Sequence, residues 1–400
     1  MEKTVVELFA GVGGFRVGFQ NTKSEWNFVF ANQWEPSRKA QDAFNCYVNH
    51  FGISDIHSNE DIHKINKVNL PEHSLLVGGF PCQDYSVAAT GAKGIQGKKG
   101  VLWWDIYDIV KVKKPPFILL ENVDRLLKSP SSQRGRDFGI ILACLAKENY
   151  SVEWRVINAA EYGFGQRRRR IFIFAYKNNT IYGRNADSIS LRDRVLKNGF
   201  FQKGFPIQEE AIKEGVGEFI TGEILEISNI FKFEFFNSGI MNNGHIYTAE
   251  VKPNYSDKQI VLGDLIENEV DKKYFLTSDL EDWKYMKGAK KIERVSKTGH
   301  KYTFSEGQIA FPDYLDRPAR TMLTSEASKN RSTHIIRDPK TGELRKLTPI
   351  ECERINGFPD NWTNTGMSER FRYFCMGNAL VVGLITVMGN IISDIIDNEI

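Results

Sequence analysis

The stretch TVVELFAGVGGF, residues 4–15, sets the reading of everything after it: a short apolar, β-branched run, Thr4–Phe9, empties directly into a glycine loop, Ala10-Gly11-Val12-Gly13-Gly14-Phe15. The run has the composition of a strand. Glycines let the backbone after it approach a ligand closely and turn helix amino-terminal N–H groups toward an anion. The loop reads GxGG rather than the GxGxxG of dinucleotide sites, so taken alone it fits a plain tight turn as well as a cofactor loop.

Working outward, the same alternation recurs. Phe28–Ala31, Leu75–Phe80, Phe117–Leu120 and Ile171–Ala175 read as strands, with helix-compatible stretches such as Ser37–Val48 and Val101–Val110 between them. Apolar strands separated by crossover helices predict an α/β, doubly wound domain whose parallel sheet is buried on both faces. Beyond about Asn178 the pattern loosens: residues 179–315 are rich in aromatics, Gly, Asn and Lys without a sustained period, and read as a second, irregular domain. Order returns with RKLTPIECERINGFPDNW at 345–362, then a stripe of Leu384, Val387, Ile391 and Ile395 at helical spacing that reads as core packing.

Composition narrows the function classes. With 41% hydrophobic and 26% charged residues among 400, the chain is neither disordered nor collagen-like. The longest apolar run, Ala379–Gly389, is too short to span a bilayer. The start MEKTVVELFAG has no signal-peptide pattern, and the expectation is a cytosolic protein. A net charge of +3 neither demands nor excludes nucleic acid. The five cysteines contain no CxxC and no zinc spacing, which argues against a disulfide framework and against a structural metal. From Lys284 to Lys301, seven basic residues accompany a single acid, Glu293. By itself this cluster reads as a solvated face.

In an open parallel sheet, ligands bind beyond the carboxyl ends of the strands. Here those positions carry the glycine loop, then Asn32-Gln33-Trp34-Glu35, then Pro81-Cys82-Gln83, then Glu121-Asn122-Val123, while Gln166-Arg167-Arg168-Arg169-Arg170 leads into the 171–175 strand. A thiol, a carboxylate and guanidinium groups would share one crevice. A lone cysteine is usually a small buried hydrophobe, but Pro81 breaks the strand just before Cys82, and the glycine-punctuated run DYSVAATGAKGIQGKKG that follows has the make-up of a lid. A carboxylate such as Glu121 at the end of an apolar strand needs a partner or stays protonated. Alternation along a strand sends Arg168 and Arg170 to the same side.

Together these motifs resemble the DNA (cytosine-5)-methyltransferases over about 1–178 and 317–389. LFAGVGGF (8–15) resembles the family's cofactor loop and GGFPCQDYS (78–86) its nucleophile motif. ENV (121–123) and QRRRR (166–170) resemble the substrate-base motifs; RPARTMLTSE (317–326), RKLTPIECERINGFPDNW and MGNAL (376–380) resemble the carboxyl-terminal signatures. The resemblance implies a Rossmann-like, S-adenosylmethionine-dependent catalytic domain at 1–180 completed by 365–400, a target-recognition domain at 181–344, and a hinge at 345–364. It implies that the cofactor's charged end meets Gly11, Gly13 and Gly14, flanked by Phe9, Ala10 and Phe15. Trp34 would stack on the adenine, and Asp61, beside Ile62, would accept from its amine. Phe80, Pro81, Leu102, Asn378 and Ala379 would complete the pocket. The family carries an acid after the second strand for the ribose; this chain has Gln33 there and Glu35 two positions on.

The chemistry implied is base flipping followed by addition of the Cys82 thiolate to carbon 6 of cytosine, with Glu121 hydrogen-bonded to ring N3 and the 4-amino group. Arg168 and Arg170 would hold the base carbonyl, the Cys82 region or a neighbouring phosphate. Gln83, Ser86, Lys290, Lys291 and Arg294 would contact double-stranded DNA. The expected setting is a monomer in a prokaryotic cytoplasm, on the nucleoid when DNA-bound, with a cognate restriction endonuclease acting separately. The nearest rival is a tRNA cytosine-5 methyltransferase, which shares the motifs; a non-catalytic binding protein or a nicotinamide oxidoreductase leaves PCQ and ENV unexplained.

Overall fold

The computed structural model of the chain describes residues 1–36, 38–80, 102–219, 224–296 and 299–399. It divides into two compact units: Met1–Gly163 with Arg169–Asp257 and Val382–Ile400, and Phe164–Arg168 with Lys258–Val381.

The first unit is built on a ten-stranded sheet. β1 (Thr4–Leu8), β2 (Asn27–Asn32), β3 (His57–Ser58), β4 (Leu75–Gly79) and β5 (Phe117–Val123) form its parallel half, in the order β3-β2-β1-β4-β5. The interior strands are almost wholly apolar and buried, as a sheet covered on both faces requires. The covers include α1 (Gly14–Gln20), α2 (Asp42–Phe51), α3 (Trp103–Lys113) and α4 (Arg136–Lys147). α2 begins later than the sequence suggested.

The run 171–175 is a strand but not a parallel one. β6 (Tyr150–Asn158) leads into β7 (Arg169–Lys177) through a short connection with a single 3-10 turn, and β7 pairs antiparallel with both β6 and β5. A parallel return would have needed a crossover helix, and none intervenes. A second difference concerns 181–257, which the sequence placed in the irregular domain. After α5 (Ile181–Asp187) and the single turn α6 (Leu191–Asp193), the strands β8 (Lys213–Glu218), β9 (Ser238–Asn242) and β10 (His245–Glu250) extend the first sheet in the order β6-β9-β10-β8, with α7 (Ile224–Ile230) between β8 and β9. The compact units therefore part at 257/258 rather than at 180/181.

In the second unit, α8 (Leu280–Lys287) precedes a two-stranded ribbon, β11 (Lys290–Val295) and β12 (Lys301–Glu306); a second pair, β13 (Ile335–Arg337) and β14 (Leu344–Lys346), precedes α9 (Pro349–Asn356) and α10 (Glu369–Asn378). The TPIE start of α9 is a capping box: Thr348 Oγ1 accepts the Glu351 N–H, Glu351 Oε2 accepts the Thr348 N–H, and Pro349 takes the first helical position. Buried Arg345 sits between Asp338 (2.8 Å) and Glu351 (2.7 Å). The last helix, α11 (Val382–Asp397), belongs to the first unit and packs on α1 so closely that a Cβ on Gly18 would lie 2.5 Å from Ile385.

Candidate active site

Past the end of β1 the chain passes through three left-handed residues at alternate positions, Phe9 (φ 55°), Gly11 (57°) and Gly13 (90°). Glycine takes this region freely; for Phe9 it is unusual. A Cβ on Gly13 would lie 2.6 Å from the Phe51 ring, whereas one on Gly11 would meet none of the described residues within 4 Å, so among those residues the loop is packed on one side only. The Gln33 amide oxygen accepts the Gly11 N–H at 2.7 Å. Glu35 is engaged elsewhere: its Oε2 accepts the Ala43 N–H at 2.9 Å in the first turn of α2, and burial raises its carboxyl above the usual range. Trp34, between them, is 37% exposed. Asp61 caps the 3-10 turn Ile62–Lys64 by accepting the His63 N–H at 3.1 Å, and Asn32 donates to the Glu60 carbonyl, tying β2 to this segment. Phe80 and Ile62 are buried, and Leu102 is half-buried at the start of α3. All of these belong to the first unit; Asn378 and Ala379, at the end of α10, belong to the second.

Beneath the loop lies a network that sequence reading missed. Glu7 is fully buried in β1. Tyr47 donates to its Oε2 (2.8 Å), Arg16 donates to the Tyr47 hydroxyl (3.1 Å) and to His57 Nε2 (2.8 Å), and His57 Nδ1 donates to the Gly52 carbonyl (2.7 Å). Desolvation pushes the Glu7 carboxyl up to about 7 despite Tyr47 and Arg16. The only hint in the sequence was a charged residue inside an apolar strand.

At the end of β5, Glu121 Oε1 stands 2.9 Å from Arg170 Nε. Gly79 lies opposite Glu121 in the β4–β5 register, and a Cβ there would come within 3.1 Å of Oε2, so the glycine leaves room for the carboxylate. Asn122, the middle residue of ENV, is buried and donates to the Phe80 carbonyl at 2.8 Å, fixing the backbone that leads to Pro81 and Cys82. Arg168 does not share the fate of Arg170. It is buried in the second unit, where its terminal nitrogens donate to the Met322 (3.2 Å) and Gly377 (3.0 Å) carbonyls. A Cβ on Gly377 would lie 2.4 Å from the Leu323 carbonyl carbon, which explains the glycine of MGNAL. Pro81, Cys82, Gln83 and Ser86 lie outside the described residues. The four other cysteines are buried; burial pushes the Cys144 thiol up to about 12 and the Cys352 thiol well above its ordinary value.

A glycine loop, a carboxylate–guanidinium pair and a pinned strand end thus occupy the carboxyl edge of one sheet. A family model described as C-5 cytosine-specific DNA methylase matches residues 3–394. The chain belongs to the C-5 cytosine-specific DNA methylases. It is an enzyme, a DNA (cytosine-5-)-methyltransferase. It is 54% identical over 398 residues to the Type II methyltransferase M.Sau3AI of Staphylococcus aureus, covering 98% of this chain and 95% of that protein. It is 27% identical to the Type II methyltransferase M.SsoII of Shigella sonnei, over 98% of this chain and 81% of that one. Among solved structures, the methylase shares its fold with the DNMT2 of Spodoptera frugiperda (TM-score 0.63, 13% identity, 98% and 100% covered) and the Dnmt2 methyltransferase of S. pombe (TM-score 0.59, 16% identity, 99% of each).

The basic segment of the methylase is not uniform. Lys287 is buried, donates to the Thr333 carbonyl and lies 3.9 Å from Asp313; desolvation lowers its ammonium to about 8. Lys284 pairs with Glu281 (2.7 Å), and Lys290 lies 3.9 Å from Glu306 and over the Tyr285 ring. Lys291, Arg294 and Lys301 are exposed on the ribbon.

Proposed function

We propose that this methylase flips a cytosine out of duplex DNA and methylates its carbon 5 through a covalent adduct with Cys82. The observation that carries the reading is the set at the β5 end: the Glu121–Arg170 pair, with Asn122 holding the backbone just ahead of Pro81-Cys82. The glycine loop and the exposed Trp34 fit S-adenosylmethionine, held by Phe9 through Phe15, Trp34, Asp61 with Ile62, Phe80 and Leu102. When bound, S-adenosylmethionine supplies the methyl group that carbon 5 takes. Gln33 orients the loop by accepting the Gly11 N–H.

The chain's own part follows from its side chains. The Cys82 thiolate adds to carbon 6, and the electron pair of the 5,6 double bond moves to carbon 5. Glu121, taking up a proton as the flipped base enters, donates it to ring N3 and accepts from the 4-amino group, so the charge arising on the ring is met by a group already in place. Arg170, paired with Glu121, faces the same base; Arg168 acts through the second unit's backbone, positioning MGNAL. Once carbon 5 carries the methyl group, a base from solvent takes its proton, the C–H electron pair re-forms the 5,6 double bond, and the C6–S bond breaks to release the Cys82 thiolate. The second unit, with its ribbon, supplies target recognition; residues 345–364, expected as a hinge, lie inside that unit, where they form α9 and its capping box. Identity with a Type II methyltransferase supports a modification role beside a separate endonuclease in the bacterial cytoplasm.

The test uses Cys82→Ala. Methylation of DNA from a methylation-free host, read by bisulfite sequencing, should vanish while S-adenosylmethionine binding persists, and wild-type protein should form a covalent adduct with DNA bearing 5-fluorocytosine. Full methylation by the variant would end the thiol mechanism.

A further inference from the structure

The ribbon has two unlike faces. Register pairs Lys290 with Glu306, Ile292 with Phe304 and Arg294 with Tyr302 on one face, and Lys291 with Ser305, Glu293 with Thr303 and Val295 with Lys301 on the other. On the first face Lys290, Ile292, Phe304 and Glu306 are partly buried, and Arg294 lies 3.9 Å over the Phe304 ring. Every residue of the second face is exposed. Among the described residues, no side-chain hydrogen bond or ion pair engages Lys291, Glu293, Lys301, Thr303 or Ser305.

Glu293 is the anomaly on this face. It lies on the same face as Lys291, two positions along the strand, and diagonally across from Lys301, yet pairs with neither. On a surface that only neutralised phosphates, a carboxylate would repel the backbone and lower affinity for every sequence alike. It has a use on a surface that meets base edges. Two paired strands about 5 Å apart fit the major groove, about 12 Å wide. There a carboxylate accepts from an exocyclic amine, N4 of cytosine or N6 of adenine, and repels the keto oxygens O6 of guanine and O4 of thymine.

We propose that the outer face of β11–β12 enters the major groove of the target and that Glu293 selects an amino over a keto base at one position, Lys291 and Lys301 meeting phosphates beside it. The inference rests on the reading of the second unit as the target-recognition part of this methylase.

The test first takes the wild-type motif from bisulfite sequencing, then compares wild type and Glu293→Ala on duplexes carrying each single-base change. The expected result is that kcat/KM discrimination between amino and keto bases falls about 5- to 150-fold at one position, the worth of one good base-edge contact, with the other positions unchanged and affinity for unrelated DNA rising. Glu293→Asp should restore part of the discrimination, which a charge effect on folding or solubility would not. Glu293→Ala with intact activity and unaltered discrimination at every position overturns the proposal, as does a uniform gain in affinity without relaxed selection. A wild-type protein that protects no cytosine in any DNA would instead remove the reading beneath it.

Discussion

At the strand ends of the first unit, the polar side chains nearest the expected chemistry are already held. Gln33 takes the Gly11 N–H, Glu35 the Ala43 N–H, Glu121 the Arg170 guanidinium, and Asn122 reaches the Phe80 carbonyl. On the outer face of the ribbon in the second unit, five polar side chains stand exposed and, among the described residues, make no side-chain hydrogen bond or ion pair. The two regions answer different demands. A group that stabilises charge in a transition state contributes most when its orientation is set beforehand. A group that distinguishes sequences has to exchange water for one base edge and fail to do so for another, and it does this best when no internal partner competes.

The comparison breaks most visibly at Glu121. Glu121→Gln keeps the shape but exchanges one oxygen for an amide, which changes both the pair with Arg170 and the hydrogen bonds offered to the ring. The expected outcome is a fall in kcat of about 10²- to 10³-fold, with DNA affinity, read by fluorescence anisotropy, within a few-fold of wild type. A fall in affinity with kcat preserved would move Glu121 from the chemistry to binding.

A smaller effect is expected from the network under the glycine loop. Burial raises Glu7 to about 7, whereas in the unfolded chain a glutamate titrates near 4.3. Between those values the unfolded chain gives up a proton that the folded chain keeps, so stability falls as pH rises, with no penalty below the lower value and the full penalty above the upper one. Glu7→Gln removes the titration in the same shape. Relative to wild type, the variant should gain about 2–3 kcal/mol of unfolding free energy between pH 4.5 and 8, measured by urea denaturation across that range. A wild-type-to-variant gap that does not change with pH would show that Glu7 is ionised throughout.

What the sequence revealed and what it hid follow from the same physics. Thr4–Phe9, Leu75–Phe80 and Phe117–Leu120 were legible because strands buried on both faces must be continuous apolar runs. The direction of Ile171–Ala175 was not, since composition carries no sense of polarity; only the short link from β6 decides it. The outer strands escaped notice for another reason. β8 is an edge strand with mostly exposed residues, and β9 and β10 bury Ser238 and Thr248, with the Thr248 hydroxyl donating to the Ser238 carbonyl, so no hydrophobic alternation marks them. The proposed site residues Gln33, Trp34 and Glu121 stand, as expected, at or just past the ends of strands. The tethers were not legible, because bonds such as Arg168 to Met322 and Gly377 join residues far apart in the chain.

The smallest predicted effect separates two neighbours on one strand. Lys290 and Lys291 are equivalent in sequence, and both were expected at the DNA. In the structure the Lys290 side chain is 16% exposed, with Glu306 at 3.9 Å and the Tyr285 ring beneath it, while Lys291 is on the exposed face. Each phosphate neutralised releases counterions and contributes about 0.9 to the slope of log affinity against log salt. Lys291→Gln should therefore lower that slope by up to about 0.9, equally on target and unrelated DNA, since phosphate contacts carry no sequence information. Lys290→Gln should change it by well under half as much and instead loosen the ribbon's packed face. Equal slopes for the two variants would mean that the ribbon turns both faces to the backbone, and the distinction between its held and open sides would fail at the place where it is easiest to see.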